Sequence, residues 1–309
     1  MDGLPRNLIK GLNTRRQRTL KAPIGCVGVG LHAGLRVNIT LRPARPDHGI
    51  VFRRTDLGVE IPARFDHVVD TRLATVLGLG GGAARIGTVE HLMAALAGSA
   101  IDNVLIEVDG PEPPILDGSA APFVFLLDCA GIIEQEAPRS VIQVRRPVRV
   151  SDGDGFVELR PAKPGDTGLD MALSIDFDAA AIGRQAFSLG LTPESFRHEL
   201  AHARTFGLAE DIEQMRAAGF ARGGSLDNAV VVDQARVLNP AGLRMPDEFA
   251  RHKLLDAVGD LALAGAQLCG RFTAHRSGHA LNNRLLHALF SDATAWREFT
   301  PEPLSAEAA

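Results

Sequence analysis

Tyrosine is absent from this chain of 309 residues, and Trp296 is its only tryptophan. Without tyrosine, a general acid must come from a histidine, lysine, aspartate or glutamate side chain, so these residue types direct the search for a catalytic site. The chain has three cysteines, Cys26, Cys129 and Cys269, with no Cys-x-x-Cys spacing. Such scattered cysteines are typical of a reducing compartment and argue against a metal site built from thiolates.

Long apolar segments are also missing. No stretch of about 18 apolar residues is free of charge, so the sequence predicts no membrane-spanning helix. The N-terminus has no apolar signal region, and we expect a cytoplasmic protein. The formal net charge is −4 with no dominant block of either sign, which argues against a nucleic-acid surface. With 45% hydrophobic and 23% charged residues, the composition is that of an ordinary globular protein.

The two halves of the chain show the same order of predicted elements. In each half, strand-like segments come before a central helix that ends in Ala-Leu-Ala-Gly, at 95–98 and at 262–265. A further strand and helix follow in both halves. We therefore expect an α+β fold of two similar domains, at 17–138 and 139–303, after a flexible leader at 1–16.

The helix and strand signals lie as follows. The sequence predicts strands within 18–54, a hairpin at 74–87, a helix from Thr88 as N-cap to Gly98, a strand at 102–109, a helix at 120–131, strands at 141–150, 155–160 and 170–177, a helix starting at Thr192, a long helix at 247–265, a strand at 269–275 and a helix after Asn282.

Two segments suggest other chemistry at first sight. The glycine cluster at 78–82 could be a phosphate loop, but it lacks the Lys-Ser/Thr that such a loop needs, and β-like runs flank it. A turn is the better interpretation. Ser119 could be imagined as a nucleophile, but no Gly-x-Ser-x-Gly sequence surrounds it.

Three residues form the pattern of a catalytic metal site. His252 and Asp256 are four residues apart on a predicted helix, so they project from one face. His91, on a helix in the other half, supplies a second imidazole. Two histidines and one carboxylate, with an open fourth position for water, are typical of catalytic zinc. Glu90, beside His91, would be the acid or base that acts on that water.

A lone His-x-x-x-Asp on a helix is more often a solvated or capping pair, so these residues need support from the rest of the chain. Asp260 lies eight residues after His252, about 80° around the helix, where it could orient another histidine. Lys253, His279 and Thr205 are polar residues in compact segments. Taken singly, each is an ordinary surface, loop or turn residue.

Taken together, these segments identify a family. The chain resembles the UDP-3-O-acyl-N-acetylglucosamine deacetylases, zinc amidases of lipid A synthesis, from about residue 17 to 300. The resemblance rests on ordered motifs: Gly28-Val29-Gly30-Leu31-His32, Phe52-Arg53-Arg54-Thr55-Asp56-Leu57, Thr88-Val89-Glu90-His91-Leu92, Ala97-Gly98 with Ile101-Asp102-Asn103, Asp117-Gly118-Ser119-Ala120-Ala121-Pro122-Phe123, Ala203-Arg204-Thr205-Phe206-Gly207, Gly223-Gly224-Ser225, Arg251-His252-Lys253-Leu254-Leu255-Asp256 and Ser277-Gly278-His279-Ala280-Leu281-Asn282-Asn283.

The resemblance implies a fold and a reaction. Each domain would be a β-sheet layered with helices, and the active site would lie between the facing helix layers. The implied reaction is zinc-dependent hydrolysis of the acetamide of UDP-3-O-(3-hydroxyacyl)-N-acetylglucosamine to acetate and the free amine, the committed step of lipid A biosynthesis in Gram-negative bacteria. The partner would be a UDP-sugar with one fatty acyl chain, and we expect a monomer.

The resemblance also implies a role for each candidate residue. His91, His252 and Asp256 match the zinc ligands, although Fe²⁺ also accepts such ligands. Glu90 matches the general base. His279 matches a catalytic cation or general acid, and Asp260 matches the partner of that histidine. Thr205 matches the hydroxyl near the tetrahedral oxyanion, and Lys253 matches a residue that contacts the substrate. Either His279 or Glu90 could protonate the leaving amine.

Substrate contacts follow from the same resemblance. Residues expected to border the site or the acyl passage are Leu31, Phe206, Gly207, Leu208 and Ile212, and those expected near the uracil are Asp176 and Phe177. The helical spacing of Leu208, Ile212 and Met215 is also typical of plain core packing.

The sequence departs from the family pattern at two positions. Ala74 stands where many members have a cysteine, and Gly155 where some have a lysine that helps to hold the nucleotide. Two other functions remain open: a nucleotide-sugar binding protein without turnover, and a zinc amidohydrolase with a different acyl substrate.

Overall fold

The computed structural model describes residues 16–80, 82 and 84–300. Residues 1–15, which make up nearly all of the predicted leader, lie outside this part of the chain. The predicted α+β class is confirmed: two large sheets each carry helices, and smaller sheets extend from them.

The first half contains ten strands and two helices within the described residues. They are β1 (Arg16–Leu20), β2 (Ile24–Val29), β3 (Arg36–Pro43), β4 (Ile50–Arg54), β5 (Val59–Pro62), β6 (Val68–Asp70), β7 (Val76–Gly78), β8 (Arg85–Ile86), α1 (Glu90–Gly98), β9 (Val104–Val108), α2 (Ala121–Ala130) and β10 (Ile132–Pro138). A 3₁₀ turn at Phe65–His67 precedes β6.

The second half begins with a single strand, continues with two hairpins and ends with a strand at the sheet edge. Its elements are β11 (Val141–Val144), β12 (Val148–Asp152), β13 (Gly155–Arg160), β14 (Leu169–Asp176), β15 (Arg184–Leu191), α3 (Pro193–Ser195, continued by a π-turn at Phe196–Leu200), β16 (Phe206–Leu208), α4 (Ala209–Ala217), β17 (Val230–Asp233), β18 (Arg236–Val237), α5 (Glu248–Ala262), β19 (Gln267–His275), α6 (His279–Ser291) and β20 (Trp296–Phe299).

The two large sheets share a plan. In the first, the strand order is β2-β3-β9-β4-β5, and β9, which follows helix α1, pairs parallel with β4. In the second, the order is β12-β13-β19-β11-β20, with β14 also on β19 and β15 on β14. There β19, which follows helix α5, pairs parallel with β14. The strand after the central helix thus takes a parallel partner in both halves.

Alternating burial explains how each sheet faces the core. On β3, Val37, Ile39 and Leu41 are buried while the residues between them are more exposed. An amphipathic strand of this kind buries one face of the sheet against helices. The apolar core runs through both halves, and its largest fully buried side chains include Phe52, Phe123, Phe249 and Phe272.

The central helices α1 and α5 pack against each other, and α5 also packs on the second large sheet. Nearly all of their residues are buried, as expected for helices covered on every side. Gly259 allows a close approach, because a Cβ at this position would lie 2.0 Å from the carbonyl oxygen of Glu90. This contact brings the C-terminal half of α5 to the first turn of α1.

Two predicted helix starts were wrong. Thr88 is not an N-cap: helix α1 begins at Glu90 after Val89, and Thr88 has a φ of 52° with its hydroxyl donated to Glu112. Helix α6 begins at His279 rather than after Asn282, because Gly278 adopts an extended conformation and its carbonyl accepts the N–H of Asn282. Between β7 and β8, the N–H of Gly82 donates to the carbonyl of Leu79 at 3.1 Å, as expected of the predicted turn.

Candidate metal centre and active site

The predicted ligand trio converges where α1 meets α5. The first turn of α1 contributes His91, and α5 contributes His252 and Asp256. All three side chains are buried, and their ligand atoms lie within 4.8 Å of one another. Oδ1 of Asp256 is 3.3 Å from Nε2 of His252 and 3.6 Å from Nε2 of His91. The spacing of four residues on α5 brings together two of the three ligands, and the contact between the helices adds the third.

The protonation of His252 suits a ligand. Its Nδ1 lies 3.0 Å from the carbonyl oxygen of Ala203, which can only accept, so Nδ1 carries the hydrogen and Nε2 keeps a free lone pair. Burial lowers the pKa of His252 to about 4, although the neighbouring Asp256 opposes this shift. The imidazole is therefore neutral at physiological pH.

Asp256 presents one oxygen with no partner. Oδ2 accepts from Nζ of Lys253 at 3.0 Å, whereas the buried Oδ1 has no hydrogen-bond partner among the described residues. Burial would raise the pKa of Asp256, but His252 and Lys253 outweigh it and hold the pKa well below its ordinary value. A buried, ionised and unpaired oxygen between two imidazole nitrogens has the chemistry of a metal ligand, so the trio fits a divalent cation.

Glu90 lies beside the trio without belonging to it. Its side chain is buried, and Oε2 accepts the backbone N–H of Thr75 at 3.1 Å. Burial raises the pKa of Glu90, while the charges of His279 and His91 oppose the rise. A carboxylate with a raised pKa is a better proton acceptor, which is what a general base requires.

His279 faces Glu90 from the start of helix α6. Its Nε2 is 3.8 Å from Oε1 of Glu90, and its Nδ1 is 2.9 Å from Oδ2 of Asp260. Burial disfavours the charged imidazole, but Asp260 and Glu90 outweigh burial and raise the pKa of His279 to about 9. His279 is thus a cation at neutral pH, held by Asp260 as the spacing on α5 suggested.

Two polar residues of this cluster were missed in the sequence. Thr75 donates its hydroxyl to Oδ1 of Asp260 at 2.5 Å, and Asn282 donates its side-chain N–H to Oδ2 at 2.8 Å. Asn282 was part of a recognised motif without a role. Thr75 had no local signal, because its partner lies 185 residues away in the sequence.

The ligand trio and Glu90 open into a cavity of about 840 Å³. The cavity is also lined by the predicted residues Lys253, His279, Thr205, Phe206, Gly207, Leu208, Ile212, Leu31 and Phe177. Thr205 is fixed through its backbone: its N–H donates to the carbonyl of Gly118 and its carbonyl accepts the N–H of Val230, each at 2.8 Å. Asp260 and Asp176 are not among the lining residues.

The apolar stripe after Gly207 lies at the edge of the core, and only Leu208 packs against it. Leu208, Ile212 and Met215 are only half-buried, helix α4 contains no buried residue, and all three side chains line the cavity. Ile212 packs close to Gly207, where a Cβ would lie 3.2 Å from the isoleucine side chain. One wall of the cavity is therefore apolar, and its Ile212 and Met215 lie outside the core.

Another part of the cavity wall depends on a buried carboxylate. Glu112 accepts the backbone N–H groups of His32, at 3.0 Å, and Ala33, at 2.6 Å, and the hydroxyl of Thr88 at 3.1 Å. It thereby fixes the loop that carries Leu31 into the cavity. It also holds Thr88 in a left-handed conformation, which is unfavourable for a β-branched residue.

Comparison with known proteins agrees with this geometry. The family model for UDP-3-O-acyl N-acetylglycosamine deacetylase matches residues 17–291. This chain belongs to that family. Proteins named UDP-3-O-acyl-N-acetylglucosamine deacetylase from Myxococcus xanthus and Acidithiobacillus ferrooxidans are each 52% identical to it, over 91% of this chain and 88% and 92% of their own lengths. One from Haemophilus influenzae is 50% identical over 93% of this chain and 94% of its own length.

The deacetylases of this family are metalloenzymes, and the trio of His91, His252 and Asp256 is the candidate metal site of this chain. Among the described residues, no helix is long and apolar enough to cross a membrane. One departure from the family pattern has a local explanation: a Cβ at Gly155 would lie 2.8 Å from the carbonyl oxygen of Arg276. A larger residue at 155 would require this turn to move.

The two residues expected near the uracil, Asp176 and Phe177, have different surroundings. Phe177 lines the cavity and packs edge-on against Phe206, with ring centroids 5.7 Å apart. Asp176 instead pairs with Arg184 at 3.0 Å and Arg276 at 3.1 Å. Both partners favour the anion and lower the pKa of Asp176.

Proposed function

We propose that this chain hydrolyses the acetamide of UDP-3-O-(3-hydroxyacyl)-N-acetylglucosamine to acetate and the free amine, in the committed step of lipid A biosynthesis. One observation carries the proposal: Glu90 and His279 face each other across 3.8 Å, beside three converging ligand atoms. Such a constellation provides a base, an acid and a cation site around one reacting carbonyl.

The metal is proposed to be held by His91, His252 and Asp256. Their chemistry suits Zn²⁺, and Fe²⁺ accepts the same ligands. A bound divalent metal lowers the pKa of a coordinated water from about 16 to around 7. The unpartnered Oδ1 of Asp256 supports this assignment, because a buried carboxylate oxygen is costly to leave without a partner.

Glu90 is the proposed general base. Its Oε2 is held by the N–H of Thr75, which leaves Oε1 directed toward His279 and the cavity. Burial raises its pKa and so strengthens it as a proton acceptor for the attacking water. Thr205 lines the same cavity, and we assign its hydroxyl to the oxyanion that develops on the acetamide oxygen.

His279 is the proposed acid for the leaving amine. Its pKa of about 9 keeps Nε2 protonated at neutral pH, and Asp260 fixes the ring through Nδ1. A cation in this place also favours negative charge in the transition state. Lys253 is proposed to touch the substrate. Its ammonium, which bonds Oδ2 of Asp256, lies at the cavity wall.

The substrate is proposed to lie along the cavity, with the fatty chain beside Leu31, Leu208 and Ile212. The apolar, half-buried wall on α4 supports this placement. The nucleotide would lie toward Asp176 and Phe177, where Arg276 supplies a positive charge.

Acetate release from UDP-3-O-(3-hydroxyacyl)-N-acetylglucosamine tests the proposal. We expect one acetate and one new primary amine per substrate, and much slower release from UDP-N-acetylglucosamine, which has no acyl chain. Release from other N-acetylated compounds but not from this substrate would indicate a different amidohydrolase. Binding of the substrate without any acetate would indicate a nucleotide-sugar binding protein.

A further inference from the structure

Thr75 connects the two carboxylates on which the proposed proton transfers depend. It lies just before strand β7 and is 2% exposed. Its backbone N–H donates to Oε2 of Glu90 at 3.1 Å, and its hydroxyl donates to Oδ1 of Asp260 at 2.5 Å. One residue of the first half thereby holds a side chain of α1 and a side chain of α5.

Asp260 in turn orients the imidazole of His279. Its Oδ2 accepts from Nδ1 of His279 at 2.9 Å and from Nδ2 of Asn282 at 2.8 Å. Since Thr75 occupies the other oxygen, the carboxylate is bonded from both sides. A buried carboxylate bonded in this way has one preferred orientation, which fixes the direction of the imidazole.

The separation of Glu90 from His279 depends on both bonds of Thr75. Oε1 of Glu90 and Nε2 of His279 lie 3.8 Å apart, beyond a hydrogen bond, on helices from different halves of the chain. Thr75 holds Glu90 directly and His279 through Asp260. Without the hydroxyl, Glu90 would keep its backbone bond, but Asp260 would lose its bond to the first half.

We propose that Thr75 is a positioning residue that sets the distance between Glu90 and His279 through Asp260. The inference rests on the proposed function, because it concerns the base and the acid of that reaction. Thr75 is not among the residues that line the cavity, so it acts without touching the substrate. Removing its hydroxyl should lower kcat and leave KM and the metal content unchanged.

Thr75→Val is the main variant, because valine keeps the shape and the backbone N–H but lacks the hydroxyl. We expect kcat to fall roughly 10-fold, as for loss of a hydrogen bond to a charged group. Thr75→Ser should keep most of the wild-type kcat. A Thr75→Ser variant as slow as Thr75→Val would overturn the proposal, since the hydroxyl would then not be responsible.

Thr19→Val is the matched control. Thr19 is a buried threonine of the same half, and its hydroxyl donates to the carbonyl of Asn103 at 2.6 Å, away from the cavity. Because the Thr19 hydroxyl also accepts the N–H of Ala44 at 3.0 Å, this variant should lose at least as much stability but keep the wild-type kcat. An equal loss of kcat in both valine variants would assign the effect to stability and reject a positioning role.

A double-mutant cycle with Asp260→Asn tests the route through Asp260. If Thr75 acts through this carboxylate, Thr75→Val should change kcat less than twofold in the Asp260→Asn background. A larger change in that background would overturn the proposed route. Absence of acetate release from the wild-type protein would instead reject the proposed function, so the two failures are distinguishable.

Discussion

Gly259 of helix α5 lies against the backbone carbonyl of Glu90, and no side chain fits between them. A Cβ at position 259 would lie 2.0 Å from that oxygen and 3.0 Å from Cα of Glu90. The contact is between backbones, so a larger residue would have to separate the two helices. This backbone contact lies beside both ligand-bearing turns, since Glu90 is next to His91 and Gly259 is three residues after Asp256.

Gly259→Ala should therefore destabilise the protein and disturb the trio. In an isolated helix, alanine is more favourable than glycine by about 1 kcal/mol. Overpacking should outweigh this gain and lower the free energy of unfolding by about 1–3 kcal/mol, with weaker metal binding. Gly168→Ala is the control, because nothing lies within 4 Å of a Cβ there. Chemical denaturation measures both, and equal stability of the two variants would contradict the close contact.

Asp256→Ala should lower metal affinity, because it removes one of three ligands. Most of the fold should persist, since each half has its own sheet.

Glu90→Gln is the matched control in the same cluster: we expect full metal content with turnover reduced by about 100-fold or more, the usual range for a lost general base. Equilibrium dialysis and acetate release separate the two roles. Unchanged metal affinity in Asp256→Ala would leave His252 and Asp256 as an ordinary helical pair.

The pH dependence of kcat should report the His279–Asp260 pair. The pKa of His279 is raised to about 9, so the protonated form, and with it the activity, should be present below pH 9 and be lost as the pH rises through that value. Asp260→Asn removes the anion that raises this pKa and should move the loss of activity to lower pH. Glu107→Gln, which alters a surface ion pair with Arg42 and Arg53, is the control and should leave the pH at which activity is lost unchanged. A profile that is the same in Asp260→Asn and wild type would reject His279 as the acid.

The sequence predicted contacts within one element better than contacts between elements. His252 and Asp256 follow from helical geometry, because four residues place both on one face. His91 and Glu90 were added as a candidate pair on the other predicted helix. Support for one joint site, and the role of His279 in it, depended on the family resemblance, since nothing local joins residues of different halves. Thr75 could not be predicted, because only the folded chain brings it to Asp260.

Local signals also failed where tertiary contacts compete with them. Threonine before a helix usually caps it, and Thr88 was predicted to do so. In the structure its hydroxyl bonds Glu112, and its φ is 52°. Glu112 itself showed no pattern in the sequence, because its partners are mostly backbone N–H groups of a distant loop. The strand order of the sheets was likewise not predictable from spacing alone.

The apolar wall on α4 gives a last prediction, which concerns the length of the acyl chain. Since Ile212 lines the cavity and is not part of the core, shortening the substrate should cost up to about 0.8 kcal/mol per methylene removed from contact. The loss should appear in kcat/KM and cease once no methylene reaches the wall. Ile212→Asp should harm long-chain substrates more than short ones, because the charge would need to be desolvated by the chain.

Ala217→Asp provides the control for this variant, because it adds the same charge to helix α4 at an exposed position outside the cavity. It should affect long and short substrates alike. Measurement of kcat/KM against a series of acyl lengths, in both variants and wild type, decides the matter. If Ile212→Asp reduced kcat/KM by the same factor at every length, the acyl chain would have to lie elsewhere, and Leu208 and Ile212 would be no more than the outer surface of α4.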